Sequence, residues 1–168
     1  SGQHVVWREK KKSALTGVYK NPASIEDSDE LAYRVANQNF HREDFVMGNL
    51  QWGTTYIEPF TVDGECAMTH GHFHIDPACD EYYYGLGGEG FLLFWDGKDD
   101  FYAEKVYPGS LHYISGVYGH RLINTGDTVL AVAACSLPAT KQDHAVVEAQ
   151  VFPYRCFKRD GKIVWEEA

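Results

Sequence analysis

The feature that most constrains the fold is a succession of short apolar or alternating segments that begins near residue 50. Turn signals rich in glycine and proline separate these segments, and no long amphipathic helical run interrupts them. Many short strands with regular turns predict a β-sandwich or β-barrel. The predicted strand segments are 50–57, 66–69, 81–86, 91–95, 101–106, 111–114, 121–124, 129–135 and 146–152, and the turns include Asp63-Gly64, Gly87-Gly88, Asp96-Gly97, Pro108-Gly109 and Gly126-Asp127.

The two ends of the chain have patterns of their own. About the first 45 residues are polar and weakly patterned, with a short helix expected near 25–31 and a strand near 33–35. At the other end, two segments flank Asp160-Gly161, which predicts a terminal hairpin. A chain of 168 residues without a linker or a repeat predicts one domain. Its predicted parts are an N-terminal extension (1–45), a barrel (46–152) and the terminal hairpin (153–168).

Charge and composition exclude several kinds of partner. The net charge of −9 opposes binding to nucleic acid, because phosphate backbones select basic surfaces. No apolar stretch reaches the about 20 residues that a membrane-spanning helix needs. The four cysteines form neither a CxxC pair nor a dense disulfide framework, and no signal peptide opens the chain, so we expect a cytoplasmic protein. A small anionic ligand is compatible with this charge if local hydrogen-bond donors or a cation hold it.

Four residues have the chemistry and the spacing of a metal site. His72 and His74 are two apart, so in a strand their side chains lie on the same face. Glu81 opens the next apolar segment, and His120 follows a later turn and strand. An HxH pair alone is weak evidence, but its combination with a spaced glutamate and a third histidine at successive strand starts predicts a bound metal. Three imidazoles and one carboxylate suit Fe²⁺, Mn²⁺, Ni²⁺ or Zn²⁺ better than Ca²⁺ or Mg²⁺.

The same residues belong to a longer pattern: Gly71-His72-Phe73-His74, then Glu81, Pro108-Gly109, and His120-Arg121-Leu122-Ile123-Asn124. This pattern resembles the two-part signature of the cupins, and it is similar in detail to the cupin-type glucose-6-phosphate isomerases first described in archaea. The resemblance covers about residues 45–135 and is strongest in segments 50–56, 68–74, 81–90, 107–113 and 120–124. It implies an all-β cupin fold, a double-stranded β-helix or jelly-roll barrel.

The resemblance also implies a site. One divalent metal ion per subunit is expected, with Fe²⁺ first and Mn²⁺, Ni²⁺ or Zn²⁺ as alternatives, held by His72, His74, Glu81 and His120. A sugar phosphate is the expected substrate, and its phosphate is expected to bind at Thr55, Thr69 and Gly71. Tyr83 is expected to line the pocket. A homodimer that pairs through the N-terminal strands is expected too.

One part of the chain departs from the family pattern. Leu137 precedes Pro138 where the family commonly carries a tyrosine. The family also tends to carry a histidine and a tyrosine shortly afterwards, where this chain has Gln142, Asp143 and His144. We expect His144 to replace one of these two residues.

The expected reaction is the interconversion of glucose 6-phosphate and fructose 6-phosphate. Glu81 is the candidate base, and Tyr83 or His144 is expected to handle protons at the sugar hydroxyls. A direct hydride shift would need no base, and the sequence leaves both routes open. Two other functions stay open as well. One is a different metal-dependent cupin reaction, that of a dioxygenase or a decarboxylase, and the other is non-catalytic binding of a sugar phosphate.

Overall fold

The computed structural model describes residues 4–38, 49–137 and 140–168. These ranges contain fifteen strands, one short α-helix and two 3₁₀ turns, at Lys12–Leu15 and Pro22–Ile25. The strands are β1 (Val5–Lys11), β2 (Leu31–Gln38), β3 (Gln51–Ile57), β4 (Thr61–Val62), β5 (Glu65–Met68), β6 (Phe73–His74), β7 (Glu81–Gly87), β8 (Gly90–Trp95), β9 (Phe101–Val106), β10 (Leu111–Ile114), β11 (Gly119–Asn124), β12 (Leu130–Ser136), β13 (Gln142–Asp143), β14 (Tyr154–Arg159) and β15 (Lys162–Glu167), and the helix is α1 (Ala145–Ala149).

Two antiparallel sheets form the body of the protein. The first has six strands in the order β1-β2-β3-β12-β7-β10, and the second has the order β15-β14-β5-β11-β8-β9 with β4 paired to β5. Strands β13 and β6 form a separate pair. Residues 5–38, expected as an N-terminal extension, thus add two strands to the first sheet.

The alternation of side chains along β7 shows which face of the first sheet is turned inward. Glu81, Tyr83 and Gly85 are buried, whereas Tyr82 and Tyr84 are exposed. Because successive side chains of a strand point to opposite faces, every second residue of β7 lines the barrel interior. The interior is filled by apolar side chains from both sheets: Ile57, Ala67, Leu92, Phe94, Val106, Ile114, Leu122, Leu130 and Val132.

A second apolar cluster covers the outer face of the second sheet. Leu93 and Trp95 alternate with the interior residues of β8 and point to this other face. Side chains from the N-terminal extension, from α1 and from the segment before the hairpin pack against them: Leu15, Val18, Tyr19, Ile25, Val147 and Phe152. Burial of one such side chain stabilises the fold by about 1.5–3 kcal/mol. The two ends of the chain are therefore held on the second sheet.

The edge strands β9 and β10 are joined by a buried polar contact. His112 Nδ1 lies 2.6 Å from Glu104 Oε2, and His112 Nε2 lies 2.8 Å from Ser110 Oγ. His112 is only 4% exposed, and both of its ring nitrogens have partners, although the side chain of Glu104 is itself 42% exposed. The contact ties together the edges of the two sheets.

Several local expectations can be compared with these elements. The strand near 33–35 lies within β2, but the helix near 25–31 is only the 3₁₀ turn at Pro22–Ile25. The strand predicted at 146–152 is wrong, because α1 occupies Ala145–Ala149. Asp143 Oδ1 accepts the backbone N–H of Ala145 two residues later, and this turn leads the chain from β13 into the helix. The boundary at 45/46 and Pro138 lie outside the described residues.

Among the helices in the described part of the chain, none has the length and apolar character of a membrane-spanning segment.

Candidate metal centre

The four predicted ligands converge at one end of the barrel. Glu81 is the first residue of β7 in the first sheet, and His120 is the second residue of β11 in the second sheet. His72 and His120 exchange backbone hydrogen bonds of 3.2 and 2.9 Å, which bring the histidine segment onto β11. The ligand atoms of His72, His74, Glu81 and His120 all lie within 4.8 Å of one another, and all four residues are buried.

Phe73 fixes the orientation of the two neighbouring histidines. It packs on the opposite side from them, with its ring centroid 6.0 Å from that of Trp95. The ring also lies close to Gly119, where an added Cβ would come within 2.4 Å of it. The residue before His120 therefore has to be a glycine, and this close contact positions His72 and His74.

Hydrogen bonds around the ligands set their orientation. His74 Nδ1 donates to the carbonyl of Cys79 at 2.6 Å, which directs Nε2 to Glu81 Oε1 at 3.0 Å. His120 Nε2 lies 2.9 Å from the same carboxylate oxygen and 3.3 Å from the Tyr83 hydroxyl. A backbone carbonyl behind a ligating imidazole is a common way to fix its tautomer.

The electrostatics of the cluster favour an ionised carboxylate. Burial opposes the charge on Glu81, but hydrogen bonds from His120 and His74 outweigh it, so the pKa of Glu81 is lowered. Burial also lowers the pKa of His72 well below its ordinary value. For His74 burial acts in the same direction, yet the hydrogen bond to Glu81 prevails and raises its pKa. A carboxylate and a neutral buried imidazole are the protonation states in which these groups bind a metal.

These residues fit a divalent metal ion. The donor set is three imidazoles and one carboxylate, which matches first-row transition metals. His120 Nδ1 is buried and has no hydrogen-bond partner in the described part of the chain, so this ring contacts the rest of the cluster through Nε2 alone. The arrangement can therefore hold one ion with positions left for small oxygen ligands.

The residues expected to hold phosphate lie on both sheets. Thr55 is on β3 and pairs with Val132 of β12, so it faces the barrel interior. Thr69 follows β5, and its hydroxyl oxygen accepts the N–H of Leu122 at 3.1 Å. Gly71 has φ +81, a conformation that favours glycine. Thr69 and Gly71 are thus close together beside the metal cluster, while Thr55 stands on the opposite sheet, and the phosphate pocket stays a prediction.

His144 comes into the site from the segment that departs from the family pattern. Its Nδ1 lies 2.8 Å from the carbonyl oxygen of Gly71, and its ring centroid lies 5.6 Å from that of His72. Gln142 is also nearby, because it pairs with His74 through β13 and β6. The carbonyl of Leu137 accepts the side-chain amide of Gln51 at 3.1 Å.

Three polar residues at the site have no place in the sequence prediction. His70 contacts His144, with their Nδ1 atoms 3.2 Å apart. Ser136 pairs with Glu81 across β12 and β7, and its hydroxyl accepts the amide of Gln51 at 3.0 Å. The signal for His70 was its spacing, since it continues the alternation of His72 and His74. Gln51 and Ser136 are ordinary polar residues in strands and give no such signal.

Comparison with known proteins supports the family resemblance that the sequence pattern indicates. The sequence model of the family described as glucose-6-phosphate isomerase (GPI) matches residues 9–166. The glucose-6-phosphate isomerase of Thermococcus litoralis is 28% identical over 141 residues, which cover 83% of this chain and 72% of the relative. That of Thermococcus kodakarensis is 28% identical over 116 residues, 69% of this chain and 61% of the relative. That of Thermococcus gammatolerans is 25% identical over 158 residues, 92% and 82% of the two chains.

Solved structures confirm the fold. Oxalate decarboxylase from Bacillus subtilis superposes with a TM-score of 0.53 at 18% sequence identity, covering 67% of this chain. The match spans only 27% of the decarboxylase chain, so it reports the architecture of one barrel. The predicted fold class is confirmed: an all-β cupin barrel with an N-terminal extension and a C-terminal hairpin. Because the family model matches nearly the whole length, the chain belongs to the glucose-6-phosphate isomerase family.

Proposed function

We propose that this protein is a metal-dependent isomerase that interconverts glucose 6-phosphate and fructose 6-phosphate. The convergence of His72, His74, Glu81 and His120 in a member of this family carries the proposal. We propose further that it acts in the cytoplasm, in glycolysis or gluconeogenesis, with one divalent ion per subunit. Fe²⁺ is the first choice, and Mn²⁺, Ni²⁺ and Zn²⁺ are alternatives, since the donor set accepts all four.

Each residue of the site would have a different role in an aldose–ketose isomerisation. A divalent ion at the four ligands would supply positive charge that polarises a carbonyl group and stabilises negative charge on oxygen. Glu81 Oε1 contacts both His74 and His120, so Oε2 is the oxygen that would take the proton from C2 of glucose 6-phosphate and return it to C1. Burial raises the pKa of Tyr83 well above 10.0, so its hydroxyl stays protonated and can donate to a sugar oxygen. His144 can exchange a proton with a sugar hydroxyl from the other side.

Proton transfer and hydride shift differ in a measurable way. If Glu81 moves the proton, deuterium from solvent appears at C1 or C2 of the product during isomerisation in D₂O. If hydrogen moves directly between the two carbons, the product stays free of solvent deuterium. The lowered pKa of Glu81 makes its carboxylate a weak base, so this measurement should precede any assignment of the base.

We propose that a second copy of the chain covers the outer face of the first sheet. The outer face of the second sheet is covered by the N-terminal extension and α1. The outer face of the first sheet instead carries large apolar side chains that are 42–65% exposed: Trp7, Trp52, Tyr82, Tyr84, Leu86, Leu111 and Tyr113. The strand register places several of them side by side. Tyr82 pairs with both Tyr113 and Cys135, Cys135 pairs with Trp52, and Tyr84 pairs with Leu111. Contiguous aromatic patches of this kind mark protein interfaces. The predicted N-terminal dimer contact agrees with this surface, since β1 is its edge strand.

A coupled assay tests the proposed activity. Protein stripped with a chelator would be supplied with fructose 6-phosphate, glucose-6-phosphate dehydrogenase and NADP⁺, before and after addition of each metal. We expect NADPH formation that depends on metal and is lost in His120→Ala. Metal binding without turnover would instead favour a sugar-phosphate-binding cupin, and oxygen uptake or decarboxylation would favour another cupin reaction.

A further inference from the structure

Two buried cysteines lie side by side on the outer face of the second sheet. Cys66 on β5 and Cys156 on β14 are 1% and 0% exposed, and their Sγ atoms are 3.9 Å apart. Both belong to the apolar cluster of that face. They are 90 residues apart in the sequence, so only the order of the strands brings the two thiols together.

The strand register suits a bond between the two sulfur atoms. Strand β14 runs antiparallel to β5, with Phe157 opposite Glu65. One residue further along, the same register places Cys156 opposite Cys66. Facing residues of antiparallel strands have Cα atoms about 4.5–5.5 Å apart, within the range of about 4.4–6.8 Å that disulfides span. The two thiols can therefore be joined without a change in strand register.

The hydrogen bond between the thiols gives them different reactivities. The Sγ–H of Cys156 donates to Sγ of Cys66. This bond lowers the pKa of Cys66, to which the charge of Lys158 also contributes, and it raises the pKa of Cys156. Because the thiolate is the form that attacks an oxidant, Cys66 is the reactive member of the pair.

A groove gives small molecules a way to β5 beside this pair. It has a volume of about 350 Å³, and its lining includes Phe60, Thr61, Cys66, Asn124 and Lys158. Since the side chain of Cys66 is almost fully buried, this access favours a small, uncharged oxidant such as hydrogen peroxide over a bulky disulfide such as oxidised glutathione.

We propose that Cys66 and Cys156 form a peroxide-sensitive thiol pair that converts to a disulfide. The Cys66 thiolate attacks one oxygen of the peroxide, so that an S–O bond forms, the O–O bond breaks and hydroxide leaves. Sγ of Cys156 then attacks the sulfenic sulfur of Cys66, which forms the S–S bond and releases a second hydroxide. The two hydroxide ions take up the two thiol protons, so the peroxide is reduced to two molecules of water. The proposal does not depend on the isomerase function.

The disulfide would close a loop that contains the whole candidate metal centre. All four ligands lie between the two cysteines in the sequence: His72, His74, Glu81 and His120. A crosslink across a long loop restricts the unfolded chain and so stabilises the folded one. We therefore expect oxidation to raise Tm by about 5 °C or more, and a reducing agent to reverse this rise.

Peptide mass spectrometry of the Zn²⁺-loaded protein tests the pairing, because Zn²⁺ has no redox chemistry of its own. After brief exposure to hydrogen peroxide and alkylation of the remaining thiols, we expect one disulfide, between Cys66 and Cys156. Cys79 and Cys135 should be alkylated. In Cys156→Ser, Cys66 should continue to the sulfinic acid, since no second thiol can resolve the sulfenic acid. In Cys66→Ser, Cys156 should stay reduced.

Thermal unfolding before and after peroxide gives the second readout. The rise in Tm should appear in wild type and in the matched control Cys135→Ser, because Cys135 is a half-buried thiol on the other sheet. It should be absent from Cys66→Ser and Cys156→Ser. Free Cys66 and Cys156 in peroxide-treated wild type, or a disulfide to Cys79 or Cys135, would overturn the proposal. If one serine variant does not fold, the other variant and the wild-type peptide map decide the outcome.

Discussion

Arg155 Nη1 lies 2.8 Å from Glu65 Oε1, and the side chain of Glu65 is only 1% exposed. The same arginine donates to the carbonyl of Val18, and the other carboxylate oxygen of Glu65 accepts the N–H of Lys20. This pair therefore joins the terminal hairpin, β5 and the N-terminal extension.

Replacing Glu65 should destabilise the fold strongly. Glu65→Gln removes the charged partner of Arg155, whose side chain is only 12% exposed, so we expect a loss of about 3 kcal/mol in the free energy of unfolding. The matched control is Asp127→Asn, which removes the partner of Lys158 at a carboxylate that is 93% exposed and should cost less than about 1 kcal/mol. Urea unfolding of both variants measures the difference, and equal losses would contradict the structural role of the pair.

Gly119→Ala should weaken metal binding without changing a ligand. The added Cβ would come within 2.4 Å of Phe73, so the ring and the histidines on either side of it must shift. Overpacking of this kind costs about 1–3 kcal/mol in stability, and misplaced ligands should lower metal affinity by about tenfold. Gly87→Ala is the control, because nothing lies within 4 Å of its added Cβ. Metal titration of the two variants tests the prediction, which fails if both bind as wild type does.

A bound metal should stabilise the whole fold. Glu81 belongs to the first sheet and His120 to the second, so an ion that both residues ligate links the two sheets. With metal at 100 times its Kd, the gain is about 2.7 kcal/mol. Thermal unfolding with and without a chelator measures it as a shift in Tm. In His120→Ala the shift should shrink, and an unchanged shift there would place the ion elsewhere.

A charge on the outer face of the first sheet should separate the proposed dimer. Tyr84 is 42% exposed and pairs with Leu111 of β10, so Tyr84→Arg puts a cation within the aromatic surface. We expect a monomer by light scattering after size-exclusion chromatography. Val164→Arg, on the edge strand β15 of the other sheet, should leave the mass unchanged. A monomeric wild type would show that no second copy covers this face under those conditions.

The strand pattern and the ligand set could be predicted because both follow from local rules. His72 and His74 show their common face by spacing alone, and Asp160-Gly161 shows its turn by residue type. Asp160 and Gly161 both have positive φ, as a tight hairpin turn requires. The error at 146–152 has a local cause too, since two adjacent valines favour a strand whereas the turn at Asp143 leads into the helix.

Contacts between distant segments could not be predicted. Glu65 on β5 contacts Arg155 on β14, and the local sequence of neither segment indicates the other as its partner. The meeting of His70 and His144 is similar, because spacing gives the face on which a side chain lies but not what stands opposite it. These pairs depend on sheet order, which one sequence does not reveal.

The order of the ligands along the chain has a consequence for biosynthesis. His72, His74 and Glu81 leave the ribosome close together, whereas His120 emerges only after β8, β9 and β10. Three ligands are thus synthesised before the fourth, which takes its place when β11 inserts between β5 and β8. Capture of the ion and closure of the barrel would then be one event, and the metals present during synthesis would decide which ion the buried cluster retains.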